Sequence, residues 1–202
     1  KEDAESFLTQ PAPLASPVLS PWSFGQGRMK DEALTGYTLL SHFTGSAWQA
    51  TPHLPAPASG KMHLTSTGGH PPSDHPLVVV RRFTAPADMT ISIKGTLEHP
   101  DYRGDGVRAW LVGPQGRAIA SWKVVHGEVI TSAGPIFLKA GQTLDFVVGY
   151  DSFLWAPVVT DAATGQAFDA ARGFSGPPVA VSTPLSQLAQ TLFLGHPFHF
   201  VE

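Results

Sequence analysis

The chain contains no cysteine. Disulfide bonds, thiolate catalysis and cysteine-based zinc sites are therefore excluded, and the redox compartment is left open. Charged residues are also scarce, at 14% of the chain, with a formal net charge of -3. This balance argues against a nucleic-acid partner, which would need a basic face. No apolar run is long enough to cross a bilayer, so we predict no membrane span.

The apolar residues, 42% of the chain, are interrupted by 20 glycines and 19 prolines. This composition is typical of a folded, turn-rich protein and not of a disordered one. With 202 residues, the chain is long enough for one large domain with a full hydrophobic core.

The clearest pattern lies in residues 77–157, where short runs rich in Val, Ile, Phe and Trp alternate with turns rich in Gly, Pro and Asp. Such runs are typical of antiparallel strands, and their regular spacing indicates a sandwich or a barrel. We therefore predict an all-β, antiparallel, jelly-roll-like sandwich. The strands predicted in and just beyond this stretch cover residues 77–83, 90–97, 107–112, 118–124, 135–138, 143–148 and 153–159.

The sandwich is predicted to occupy residues 22–181, between two segments of different character. Residues 1–21 predict a short N-terminal helix and a Pro-rich linker, since prolines end the helical pattern. Residues 182–202 predict a C-terminal helix and an apolar tail, because leucines recur there at helical spacing. That helix either covers one end of the sandwich or packs against a domain missing from this chain.

Tryptophan supplies the first candidate binding residues, because sugar rings place their apolar faces on exposed aromatic side chains. On the strand after the Gly-Asp-Gly turn, alternation places Arg108 and Trp110 on the outward face. Trp48 follows a Gly/Ser stretch and is a second candidate, borne on a loop. Alternation places Trp122 toward the core, and Trp155 in the core or at its rim. Packing is the alternative role for all four tryptophans.

Two adjacent arginines, Arg81 and Arg82, lie near the end of a long apolar strand. Adjacent strand residues face opposite sides, so one of the two is predicted to face the core, where a guanidinium needs an anion. The candidate anions are Asp105, Asp145 and Asp151. Two interpretations stay open: a paired arginine that fixes a loop, or an exposed arginine that binds a sulfated or uronic sugar.

Metal sites have weaker support. His70 and His75, with Asp74 between them, have a spacing that zinc can use, and Asp101 and Asp105 are candidate ligands of a structural calcium ion. The alternative is that these side chains are solvated in loops. Taken together, the candidate ligand-binding residues are Trp48, His70, Arg81, Arg82, Arg108, Trp110, Asp151 and Trp155.

Catalysis is the rival class of function. A glycosidase needs two carboxylates across a cleft, and the available pairs are Asp105 with Asp151 or Glu98 with Asp101. The sequence does not fix the separation of either pair, and it lacks the Gly-x-Ser-x-Gly motif of a serine hydrolase. We therefore expect a non-catalytic module with no cofactor of its own beyond the calcium ion.

A set of motifs resembles a known family. The motifs are FTGSAWQ at 43–49, GHP at 69–71, RRFTAP at 81–86, GDGVRA at 104–109, DFVV at 145–148, DSFLWAP at 151–157, QLAQTL at 187–192 and FHFVE at 198–202. In this order they are similar to the C-terminal part of large planctomycete-type proteins that join a c-type cytochrome segment to domains of unknown function. The resemblance covers residues 22–202.

The resemblance implies that the chain is the C-terminal region of a larger exported protein, with its last helix packed on a preceding domain. It also implies an extracytoplasmic location, either periplasmic or on the cell surface. No signal peptide begins at Lys1, so any export signal is expected on a longer precursor. A haem-attachment motif cannot occur in a cysteine-free chain.

The sandwich is also similar to carbohydrate-binding jelly rolls, which makes a polysaccharide or oligosaccharide the expected partner. Three functions stay open at this point. They are a non-catalytic accessory module that binds carbohydrate, a structural domain that docks on its own N-terminal neighbour, and a polysaccharide hydrolase or lyase.

Overall fold

A computed structural model describes residues 20–72 and 76–177. Within these ranges the chain forms β-strands and no helix. In particular, none of the described segments is a helix long and apolar enough to cross a membrane. The two predicted terminal helices lie outside the described residues, as do Asp74 and His75.

Fifteen strands are present in the described ranges, and every pairing between them is antiparallel. The predicted all-β, antiparallel class is therefore confirmed. The strands are β1 (Trp22–Lys30), β2 (Ala33–Leu39), β3 (His42–Phe43), β4 (Ala47–Gln49), β5 (His63–Thr65), β6 (Gly68–His70), β7 (Leu77–Thr84), β8 (Met89–His99), β9 (Val107–Val112), β10 (Ala118–Val124), β11 (Gly127–Leu138), β12 (Thr143–Tyr150), β13 (Phe153–Leu154), β14 (Val158–Asp161) and β15 (Ala167–Asp169).

The strands form two sheets in a sandwich-like arrangement. The first sheet has six strands in the order β10-β9-β12-β7-β1-β2. The second follows the order β15-β14-β8-β13-β6-β5-β4-β3. In addition, β11 pairs with β8. The long strand β8 thus organises the second sheet, because β11 lies along one side of it and β13 and β14 along the other.

The main hydrophobic core lies between the two sheets. Trp22 and Phe24 both enter it from β1, as strand alternation predicts, and Phe83 enters it from β7. From the second sheet, β8 contributes Ile91 and Ile93. Each large apolar side chain that is fully buried in this way contributes about 1.5–3 kcal/mol to the hydrophobic term of folding.

A second apolar cluster lies on the opposite face of the six-stranded sheet and includes Trp110. The two ends of that sheet meet over it, because the amide of Leu34 donates to the carbonyl of Gly116 at 2.9 Å and the amide of Ala118 donates to the carbonyl of Glu32 at 2.8 Å. The start of β2 is thereby joined to the turn before β10. The curl of the sheet encloses side chains that a flat sheet would expose to water.

The strands predicted within residues 77–157 are confirmed with shifted bounds. β11 begins eight residues before the predicted start at 135, and the predicted run 153–159 is divided between β13 and β14. The stretch after residue 159 contains a further strand, β15, which is not among the predicted strands. That strand exists through its pairing with β14, which no local pattern in the sequence indicates.

Candidate functional site

Two adjoining depressions lie at one end of the strands of the six-stranded sheet, and Arg108 and Tyr150 line both of them. The first has a volume of about 250 Å³ and lies beside the β1–β2 turn. The second has a volume of about 680 Å³ and lies beside the loop that connects β8 to β9. We call the two depressions together the Arg108 cleft.

The floor of the first depression forms where β9 and β12 pair. Gly149 lies opposite Arg108 in this pairing. A Cβ atom at Gly149 would lie 3.2 Å from a methyl of Val78 and 3.5 Å from the ring of Trp110. The contact with Val78 would already be tight and the one with Trp110 an ordinary van der Waals contact, so a residue larger than alanine at 149 would fill the floor.

Arg108 is held over this floor by two contacts. Its guanidinium carbon lies 4.9 Å from the centre of the Trp110 ring, and its Nη2 donates to Oε1 of Glu32 at 2.9 Å. The side chains of Arg108 and Glu32 are 42% and 49% exposed, and an ion pair exposed to this degree is worth at most about 1 kcal/mol. A ligand can therefore replace one partner at little cost.

Charged side chains of both signs line the cleft. The cations are Lys30, Arg108 and Lys123, and the acids are Asp31, Glu32 and Asp105. An equal set of donors and acceptors suits hydroxyl groups, which both donate and accept hydrogen bonds, better than it suits an anion.

The predicted tryptophan platforms are not found as predicted. Trp110 faces away from the main core, as alternation predicts, but it is only 5% exposed because the second cluster covers it. Trp48 lies on β4 and not in a loop; it is partly buried, and its Nε1 donates to the carbonyl of Ser175 at 2.8 Å. Trp155 is confirmed as a core residue, at 1% exposed. Trp122 is partly buried against the core and packs edge-on against Trp155.

The adjacent arginines have opposite environments, as predicted, but not with the predicted partners. Arg81 is the core-facing one, at 1% exposed, and its Nη2 donates to the carbonyls of Thr65 at 2.9 Å and Gly68 at 2.8 Å. No anion pairs with it among the described residues, and its Nε and Nη1 have no hydrogen-bond partner there. Burial lowers the pKa of Arg81 to about 9.

Asp145 pairs instead with Arg82 on the other face of β7. Arg82 binds both carboxylate oxygens of Asp145, at 2.7 Å and 2.8 Å, and its guanidinium carbon lies 3.6 Å from the centre of the Tyr37 ring. The hydrogen bonds to Asp145 raise the pKa of Arg82. Neither Arg81 nor Arg82 lines the cleft.

His70 and Asp151, two further predicted site residues, are brought together by Ser152. The Nδ1 of His70 lies 3.0 Å from Oγ of Ser152, whose amide donates to Oδ1 of Asp151 at 2.8 Å. Burial lowers the pKa of His70, and the nearby His63 lowers it further, while Asp151 opposes the shift. This group lies next to Tyr150 in the chain but does not line the cleft.

A buried histidine connects Asp151 to the wall of the cleft. The Nδ1 of His99 accepts a hydrogen bond from the amide of His126 at 3.0 Å, so its proton lies on Nε2, 3.4 Å from Oδ2 of Asp151. The Nδ1 of His126 donates to the carbonyl of Asp101 at 3.0 Å, because a carbonyl only accepts. Sequence reasoning missed these contacts, which hold the β8–β9 loop in place, because His99 and His126 carry no local signal of their pairing.

The predicted metal ligands do not converge. Oδ1 of Asp101 accepts from the amide of Arg103 at 3.0 Å, and Asp105 is exposed in the wall of the cleft. In the part of the chain that the structure describes, no three His, Asp or Glu side chains come close enough to hold a metal ion. The zinc prediction at His70 depends on His75 and Asp74, which lie outside that part, and the calcium ion stays a prediction.

Comparison with known proteins gives little. No family model matches the chain, and no curated protein matches it. Among solved structures, it is similar to a PA14 sugar-binding domain from an RTX adhesin, with 13% sequence identity and a TM-score of 0.32. The match covers 46% of this chain and 51% of the other, so the chain spans about half the length of that structure. A likeness this low carries no argument, and any function must be argued from the geometry of the chain itself.

Proposed function

We propose that the chain is a non-catalytic module that binds carbohydrate in the Arg108 cleft. The observation that carries the proposal is the meeting of Arg108, Glu32, Trp110 and Tyr150 at one open cleft. A sugar ring has apolar C–H faces and hydroxyl groups at its edge, so sugar sites combine aromatic surface with a few polar groups. The cleft offers that combination.

The shape and charge of the cleft favour one class of sugar. Two adjoining depressions of about 250 Å³ and 680 Å³ suit an oligosaccharide better than a single ring. The equal numbers of cations and acids favour a neutral sugar over a sulfated or uronic one, because an anion would meet three carboxylates in the cleft.

The same cleft argues against a hydrolase. The general acid of a glycosidase is a carboxyl group kept protonated by an apolar environment. The acids that line the cleft, Asp31, Glu32 and Asp105, are all exposed to solvent. Binding without turnover is therefore the activity that the geometry supports best.

Affinity electrophoresis tests this proposal. The chain is run through gels that contain xyloglucan, galactomannan, polygalacturonate or chondroitin sulfate, and its dissociation constant is taken from the retardation. We expect retardation by a neutral polysaccharide, and a loss of affinity of about tenfold or more in Arg108→Gln, since a hydrogen bond to a charged group is worth about 1.5–3 kcal/mol.

Arg172→Gln is the matched control, because Arg172 is 91% exposed and lies outside the cleft. Retardation by polygalacturonate or chondroitin sulfate alone would mean that the chain binds an acidic sugar and not a neutral one. Equal affinity in the two variants would remove the cleft as the site, and no retardation by any of the four would reject carbohydrate binding.

A second function is favoured by a different observation. None of the five tryptophans is largely exposed, whereas Ile130 and Phe137 on β11 are 77% and 58% exposed. An interaction domain that docks through β11 on a neighbouring domain would use such side chains. Calorimetric titration of the chain with the preceding domain of its precursor, with Ile130→Ser as the variant, tests this second function.

The resemblance to planctomycete-type proteins supports a further part of the proposal. We infer from it that the module belongs to a larger exported protein and acts outside the cytoplasm. Fractionation of the source cells, with an antibody against the purified chain, tests the location and the mass of the whole protein. A cytoplasmic band of the same size as the chain would contradict both inferences.

A further inference from the structure

Tyr150 lines both depressions of the Arg108 cleft, and its backbone is strained. It ends β12 with a φ of 87°, in the left-handed region that glycine adopts readily and a bulky residue rarely does. Three other described non-glycine residues have a positive φ: Asp31, Glu32 and His126. Those three are polar residues in turns or bends, where this conformation is better tolerated.

A glycine stands next to this position rather than at it. The φ of Gly149 is outside the left-handed region, and that glycine serves to keep space for Val78 and Trp110. The chain therefore has a tyrosine where the backbone favours glycine. Tyr150 is 41% exposed, so burial of its ring offsets only part of the free-energy cost of its positive φ.

The positive φ falls at the last residue of β12, where the alternation along that strand ends. Phe146 and Val148 face the main core from β12, and Val147 faces the other side. Regular alternation would place Tyr150 on the core side with Val148. Tyr150 nevertheless lines the first depression together with Trp110, which lies on the opposite side of the sheet from the main core.

The chain is held on both sides of Tyr150. Tyr150 pairs with Val107 on the neighbouring strand. Immediately after it, Asp151 accepts the amide of Ser152 at 2.8 Å and lies 3.4 Å from Nε2 of His99. Strained residues persist where the surrounding structure fixes them, and they concentrate at functional sites.

We propose that Tyr150 is the residue on which a sugar ring stacks, and that its strained backbone is what turns the ring onto the cleft. This inference rests on the proposed carbohydrate binding and names its aromatic contact. The contact is shared by both depressions, so a sugar on Tyr150 occupies the centre of a bound oligosaccharide.

Three variants of Tyr150 separate stacking from strain. Tyr150→Phe keeps the ring, Tyr150→Ala removes it but keeps the Cβ atom, and Tyr150→Gly removes both. We expect affinity for the retarding polysaccharide to fall about tenfold or more in the Ala and Gly variants and to stay within about threefold in the Phe variant. We expect Tyr150→Gly to melt about 2–4 °C above Tyr150→Ala, because only glycine relieves the strain.

Tyr102→Ala is the matched control, since Tyr102 is 76% exposed and lines neither depression. Wild-type affinity in Tyr150→Ala would overturn the inference and leave carbohydrate binding in place. A glycine variant that melts no higher than the alanine variant would overturn the argument from strain, and the inference with it. A wild-type chain that no polysaccharide retards would reject the proposed function, and the stacking role would fall with it.

Discussion

Arg82 and Asp145 are joined by two hydrogen bonds across the paired strands β7 and β12. The side chain of Asp145 is 4% exposed and that of Arg82 is 23% exposed, so this ion pair is far less hydrated than one on the surface. A double-mutant cycle with Arg82→Gln and Asp145→Asn is expected to give a coupling energy of about 1–3 kcal/mol, measured by urea denaturation.

The exposed pair of Arg172 and Asp169 is the control for that cycle. Its atoms lie 3.7 Å apart and the arginine is 91% exposed. The corresponding cycle is expected to give a coupling energy within experimental error. Equal coupling in the two cycles would mean that burial does not strengthen the pair of Arg82 and Asp145.

Arg81 is expected to resist replacement by lysine. One planar nitrogen of its guanidinium donates to two carbonyls at once, those of Thr65 and Gly68, inside the core. A lysine amine has a different geometry and is more strongly hydrated. We expect Arg81→Lys to lower the free energy of unfolding by about 1.5–3 kcal/mol. Arg28→Lys, at an exposed position, is the control, and equal stability of the two variants would contradict the prediction.

Two consecutive hydrogen bonds through Thr131 join Trp155 to the second sheet. The Nε1 of Trp155 donates to Oγ1 of Thr131 at 2.9 Å, and that hydroxyl donates to the carbonyl of Gly95 at 3.0 Å. Thr131→Val keeps the shape but leaves the indole N–H without an acceptor. We expect a loss of about 1–3 kcal/mol in the free energy of unfolding. Thr131→Ser keeps the hydroxyl and should retain most of the stability, whereas equal losses in both variants would point to packing alone.

His70 makes the stability depend on pH. Burial and the nearby His63 and Lys61 lower its pKa from 6.5 in the folded chain, and Asp151 opposes them. Below pH 6.5 the unfolded state therefore binds more protons than the folded state, so the free energy of unfolding falls as the pH falls. The free energy of unfolding stops falling below the pKa of His70 in the folded chain, because His70 is then protonated in both the folded and the unfolded state.

Urea denaturation at a series of pH values measures this dependence. In His70→Gln the slope of stability against pH, just below 6.5, is expected to be smaller than in the wild type. His53→Gln, which removes an exposed histidine, is the matched control. The assignment to His70 fails if His53→Gln reduces the slope and His70→Gln does not.

The sequence predicts the strands and their faces well because both depend on neighbouring residues. A period of two places Trp22 and Phe24 on one side of β1 and separates Arg81 from Arg82. The same period places Trp110 on the side opposite the main core. It gives no sign of the positive φ at Tyr150, because no residue type in the sequence marks that position as glycine would.

The site could be predicted only in part, for a physical reason. Arg108 and Trp110 were found from the alternation within one strand, and both line the cleft. Glu32 and Tyr150 were missed because both lie far from Arg108 in the chain and meet it only in the folded structure. The sequence left open whether Trp110 is exposed or packed, and hydrogen bonds between the start of β2 and the turn before β10 close the sheet over it.

The sequence by itself therefore determined that this protein is an antiparallel β protein without disulfides, and which residues of each strand share a face. These properties follow from composition and from the local geometry of a strand. Only the tertiary structure decided which of those faces meets water, which carbonyls or carboxylates each arginine binds, and where a cleft opens. Those properties depend on contacts between residues far apart in the chain, and such contacts form only when the two sheets pack and the first one curls.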